Sequence, residues 1–146
     1  MTLTKATSWM VAVLASCGCL QQRDAPKGSV YEIIDDGGGQ ILAAEADRAR
    51  LAAWGGPVEI GGYCNSACVI FTTLPNACLQ PDAVIGFHAA NLNLGPVGNA
   101  QITRYLRAGV RQRWLSDWQF VPNDDIHHIT ARRYVRLDPQ ARLCDA

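Results

Sequence analysis

The chain has 146 residues, 49% of them hydrophobic and 18% charged, with 13 basic side chains balancing 13 acidic ones. That length is one domain's worth, and the apolar fraction can build a packed core, which excludes wholesale disorder. Zero net charge argues against a partner made of phosphate backbone, so no nucleic acid is expected, and no apolar run reaches the ~18–20 residues of a spanning helix.

The first residues carry one charge, Lys5, before the apolar run Trp9-Met-Val-Ala-Val-Leu-Ala15, which reads as a secretory signal over 1–16. Leu14-Ala15-Ser16-Cys17 resembles the bacterial lipobox, in which small residues precede a cysteine whose thiol takes the diacylglycerol. Cys17 is then the lipidation site, and the protein is expected on the periplasmic side of a bacterial cell envelope, anchored to the membrane by its N-terminal lipid. The alternative is an ordinary cleaved signal that happens to contain Cys17 and Cys19. Residues 17–29 are polar, with Pro and Gly, and read as a tether, leaving 30–146 as the folded domain. Export implies an oxidising compartment. Without Cys17, five cysteines remain (Cys19, Cys64, Cys68, Cys78 and Cys144), an odd number, so at least one stays free or pairs outside the chain.

Along the domain, Val30–Ile34 is β-rich and runs into the turn Asp35-Asp-Gly-Gly-Gly39. Gln40 to Trp54 reads as a helix stopped by Gly55-Gly56-Pro57. Val58–Ile60 is a brief strand, Gly61-Gly62 follows, and an apolar helix is predicted from Ser66 to Leu74. Cys78-Leu79 and Ala83–Phe87 read as strands, the second leading into His88. Residues 91–98 read as a loop, Ile102 to Trp118 as one long helix, and Pro122–Asp125 as another loop before a last helix near Thr130. Strands alternating with helices imply an α/β layer structure with a short, mainly parallel sheet. On the long helix, Arg104, Arg107 and Arg111 read as a solvated stripe, and Trp114 and Trp118 as packing residues.

Ser66, taken alone, reads as a helix N-cap, His88 as a strand-end residue and the triple glycine as a turn. Their order changes this: Gly-Gly, Ser-helix and His each follow a strand, and in an open α/β sheet that edge is where sites form. A serine at a helix N-terminus also has free backbone N–H groups beside it, suited to an oxyanion. Cys64 and Cys68 bracket the same turn at a separation a disulfide can span, while Cys78 could meet Cys144 only if the C-terminus folds back. Zinc is the rival for Cys64 and Cys68, but no second pair matches them, and neither His88 nor His127-His128 is placed as an obvious ligand. No metal and no cofactor is expected.

Ile34-Asp-Asp-Gly-Gly-Gly-Gln40, Tyr63-Cys-Asn-Ser-Ala-Cys68 and Val84-Ile-Gly-Phe-His88 resemble, in order and spacing, the Clp-protease-like serine peptidases of the crotonase superfamily, nearest to an exported group with a Cys-x-Ser-Ala-Cys signature. The resemblance implies a small Clp/crotonase-like βα spiral acting as a serine peptidase or related acyl hydrolase on a peptide or acyl substrate. It implies Ser66 as nucleophile, His88 as base, Asp125 (with Asp124 next, and Asp117 and Asp138 as outsiders) as the orienting acid, and Gly38, Gly39 and Ala67 as oxyanion donors. Related peptidases use a serine–lysine dyad, but the lysines here are Lys5 and Lys27, outside the globular part. Two departures stand out. The strand–helix unit that usually precedes the Gly-Gly strand is missing, which implies a truncated domain with either a shortened sheet or a sheet edge covered by a partner or a second copy of the chain. The turn also has Asp35-Asp36 where the family tends to have Ser-Pro. These departures motivate the alternative reading, a catalytically degenerate Clp-like binding or assembly lipoprotein.

Overall fold

The structure, a computed structural model, describes residues 27–90 and 95–145. The signal segment, Cys17, Cys19 and the tether up to residue 26 lie outside the described residues. Strand β1 (Tyr31–Asp36) turns Ile33 into the core, and the following glycines lead into helix α1 (Ile41–Trp54). The helix stops where Gly55 adopts φ 73° and its N–H returns to the Leu51 carbonyl at 3.2 Å, a left-handed cap that glycine adopts without a Cβ penalty.

Strand β2 (Val58–Asn65) is the centre of the sheet. It runs parallel to β1 on one side. On the other it pairs with β3 (Ala77–Leu79) along its first half and with β4 (Val84–Phe87) along its second, also in parallel. Strand β5 (His127–Thr130) joins β4 antiparallel. The domain is therefore mixed α/β with a five-stranded, mainly parallel sheet, as the alternation of strand and helix signals predicts.

A 3₁₀ helix, Ser66–Thr73, follows β2 and is buried from Ala67 onward. Arg48 of α1 caps its far end, donating to the carbonyls of Ile70 at 2.9 Å and Thr73 at 3.1 Å while its guanidinium lies 4.9 Å from the centre of the Tyr105 ring. Burial lowers the Arg48 pKa from its ordinary value, with the Tyr105 interaction opposing that shift. The helix that presents Ser66 is thus tied at one end to the sheet and at the other to α1.

The single helix expected over 102–118 is two: α2 (Gly95–Thr103) and α3 (Ala108–Ser116), the first beginning inside the expected 91–98 loop. The break falls at Arg107, extended at φ −129°, and Ala108, at φ 42°. It is held by the Trp114 indole donating to Thr103 Oγ1 at 2.8 Å and by Arg107 reaching Asp138 at 2.8 Å. Ile102, Leu106, Val110 and Trp114 are all buried, so the four-residue apolar rhythm continues straight through the break and hides it. Only Arg111 of the expected arginine stripe is without an ion pair among the described residues; Arg104 meets Glu45 at 2.9 Å and Arg107 meets the fully buried Asp138. Trp114 and Trp118 do pack the core, with Phe87 4.6 Å from the Trp118 ring centre. Helix α4 (Ala131–Leu137) starts where expected, with Thr130 Oγ1 accepting the Arg133 N–H at 3.2 Å.

Both cysteine pairs are disulfides, with Cα separations of 5.3 Å for Cys64–Cys68 and 4.9 Å for Cys78–Cys144. The second pair shows that the C-terminus folds back: Leu143 bridges Leu79, and the Cys144 N–H reaches the Leu79 carbonyl at 2.8 Å. Two disulfides are the mark of a non-reducing, extracytoplasmic setting. Among the described residues no helix is long and apolar enough to cross a membrane.

Candidate active site

At the end of β2 the backbone turns sharply. Asn65 is extended (φ −110°, ψ 156°), Ser66 is left-handed (φ 57°), and the 3₁₀ helix begins. A non-glycine residue in that region costs roughly 1–3 kcal/mol and persists only where its surroundings enforce it. A strained serine on a strand-to-helix turn is the geometry of a nucleophile elbow, which lifts the hydroxyl clear of the sheet edge. The fully buried disulfide between Cys64 and Cys68 closes the turn around it. Relieving this strain, Ser66→Gly should stabilise the domain by about 1 kcal/mol against chemical denaturation, since glycine adopts φ > 0 without penalty. A destabilised Ser66→Gly protein would show that the serine conformation is unstrained.

The glycine turn after β1 lies against the elbow. Gly38 (φ 89°) approaches so closely that a Cβ there would sit 2.7 Å from Ser66 Cβ and 2.8 Å from Ala67 N. Its N–H donates to Asp36 Oδ1 at 2.8 Å, so Gly38, expected as an oxyanion donor, instead serves the elbow by its lack of a side chain. Gly39 (φ 122°) and Ala67 line the cleft beside Ser66. The Gly39 N–H has no hydrogen-bond acceptor among the described residues, and the first N–H groups of a helix lack intrahelical acceptors. Asp35 Oδ1 accepts the Tyr63 N–H at 3.1 Å, which directs its carboxylate to β2.

His88 follows β4 and shares with Ser66 a cleft of about 420 Å³. Ile41 and Ile102 form its apolar walls and Gln40 and Asn123 its polar part; of the described residues lining it, His88 alone is ionisable. Ser66 Oγ and His88 share the cleft without a hydrogen bond between them among the described residues; such contacts are often long before substrate binds. His88 Nδ1 lies 2.7 Å from the Ala89 carbonyl oxygen. With the proton on Nδ1 donated there, Nε2 carries the free lone pair a base requires.

No acid joins that pair among the described residues. Asp125 is exposed, its N–H bonded to the Pro122 carbonyl at 3.0 Å, and its carboxylate acts electrostatically on His127. Asp124 is exposed on the same loop. Asp117 accepts from Ser116 Oγ at 2.8 Å, and Asp138 is buried against Arg107. The position that the resemblance assigns to Asp125 is filled by a backbone carbonyl.

His127 pairs with Phe87 across β4 and β5, one residue from His88, and stacks on Trp118 with ring centres 5.1 Å apart. Its Nε2 is buried without a hydrogen-bond partner among the described residues. Burial, then the positive charges of Arg133 and His128, hold its pKa below the ordinary 6.5, outweighing the opposing pull of Asp117 and Asp125. Below pH 6.5 the unfolded chain therefore takes up a proton that folded His127 still refuses. Stability should be fully present above that pH, fall on acidification through it, and level off once folded His127 protonates. Thermal melts of the wild type and His127→Phe across that range test this; an equally steep acid limb in the variant would assign the loss elsewhere.

Sequence reading gave Asn65 no role of its own and weighed His128 only as a metal ligand. Asn65 is buried, and its Oδ1 accepts from His128 Nε2 at 3.2 Å. The two are 63 residues apart, and only the β4–β5 pairing brings them together. No protein-family model matches this chain, and no curated protein matches it.

Proposed function

We propose that this chain is a Clp-like serine hydrolase, a peptidase or related acyl hydrolase, held at the cell envelope by a lipid on Cys17. The observation that carries the reading is Ser66, strained at φ 57° on a strand-to-helix turn and opening onto the same cleft as His88. In the reaction Ser66 Oγ attacks the acyl carbon as His88 Nε2 takes its proton. His88 then returns that proton to the leaving group, and water repeats the sequence to release the acid and regenerate Ser66. The N–H groups of Gly39 and Ala67 accommodate the oxyanion. The Ala89 carbonyl holds the imidazole in the required tautomer but offers the imidazolium only a partial negative charge, so turnover is expected to be slow. The anchor rests on the Leu14-Ala15-Ser16-Cys17 motif, and the two disulfides are consistent with export.

Labelling with a fluorophosphonate probe tests the activity. Wild-type protein should be labelled, and Ser66→Ala and His88→Ala should each abolish the label. The competing reading, a non-catalytic binding module, is favoured by the lack of an acid on His88 among the described residues, and it predicts no labelling at all. Metabolic labelling with a fatty-acid analogue, lost in Cys17→Ala, tests the anchor.

A further inference from the structure

Asparagine is among the best N-cap residues because its side-chain oxygen accepts from the second or third N–H of the helix. Asn65 holds that position at the head of the 3₁₀ helix and makes no such bond. In a 3₁₀ helix the Cys68 N–H already donates to the Asn65 backbone carbonyl, so the N–H the side chain would take is that of Ala67, an oxyanion donor of the proposed reaction. A side chain in its usual capping pose would close the oxyanion site.

Two features hold Asn65 elsewhere. Its Oδ1 accepts from His128 Nε2 at 3.2 Å. Its carboxamide lies over Gly86, where a Cβ would collide with Oδ1 and would stand 2.7 Å from Ile126 Cγ2. Gly86 and His128 are directly opposite each other in the β4–β5 pairing, so the glycine opens the path that the histidine fills from the far side. We infer that His128 is a positioning residue: it draws the Asn65 carboxamide across β4 and so leaves the helix N-terminus uncapped for the developing oxyanion. The inference rests on the serine-hydrolase reading for its consequence, but not for the conformational claim.

Two measurements on the whole domain test it. Amide hydrogen exchange at Ala67 needs no activity. His128→Ala releases Asn65 to cap the helix and should slow that exchange by about tenfold or more, on the scale of a capping hydrogen bond. The double variant Asn65→Ala/His128→Ala should return it to the rate in Asn65→Ala. Fluorophosphonate labelling kinetics are the second readout: His128→Ala should label about 100-fold more slowly, the scale of losing one oxyanion donor, and the double variant should recover the rate of Asn65→Ala. Thermal melts confirm that each variant is folded. Unchanged exchange at Ala67 in His128→Ala overturns the inference, as does a double variant as slow to label as His128→Ala alone. If wild-type protein does not label but Ala67 exchange responds as described, the positioning stands and the hydrolase reading falls.

Discussion

Gly38→Ala is expected to remove fluorophosphonate labelling and to destabilise the domain by about 3–4 kcal/mol. The new Cβ would meet Asn65 O at 2.6 Å, Ser66 Cβ at 2.7 Å and Ala67 N at 2.8 Å. Two of those atoms are backbone and the third is fixed to it, so no rotamer change relieves the contact. The loop between β1 and α1 must withdraw or the elbow must flatten. A left-handed alanine adds about 1–2 kcal/mol of strain at φ 89°, and overpacking adds about 1–3 kcal/mol more. In the proposed reaction, withdrawal by about 1 Å would itself slow labelling about 100-fold, because it moves Gly39 away from Ser66. Gly37→Ala is the stability control: a Cβ there meets nothing within 4 Å. Urea denaturation and labelling of both variants decide the matter. A Gly38→Ala protein as stable as wild type would mean that the glycine turn does not buttress Ser66.

The second large effect concerns the C-terminus. Replacing Cys78 and Cys144 together by serine should destabilise the domain by about 4 kcal/mol in the chain-entropy account, because that disulfide closes a loop with a sequence separation of 66. Replacing Cys64 and Cys68 removes a closure of only 4 residues, worth about 2 kcal/mol on the same account. The two losses differ in kind. The first should lower the denaturation midpoint and leave labelling of the folded protein intact, since neither cysteine lines the cleft. The second should slow labelling, since it frees the turn that carries Ser66. A Cys78/Cys144 double variant with an unchanged midpoint would show that the backbone bonds of Leu79 to Arg142 and Cys144 suffice to hold the C-terminal segment.

Local chemistry made part of this protein legible in its sequence. Gly55 ended α1, Thr130 capped α4, the apolar run after Ser66 formed a buried helix, and the order of strand-ending motifs brought Ser66, His88 and the glycine turn to one edge of a mainly parallel sheet. Each of these depends on a residue and its near neighbours, or on the rule that parallel strands present their C-terminal ends together. Tertiary structure decided the rest. The 102–118 segment breaks because Arg107 turns to a buried carboxylate in a distant part of the chain, while the apolar spacing runs on unaltered. Strand β5 exists because β4 has a free edge for it, and that pairing alone sets His128 against Asn65 and His127 beside Phe87. The partner of the His88 ring was equally hidden: any residue has a backbone carbonyl, so nothing in the identity of Ala89 marks it as the acceptor, and only the turn of the chain after β4 decided it.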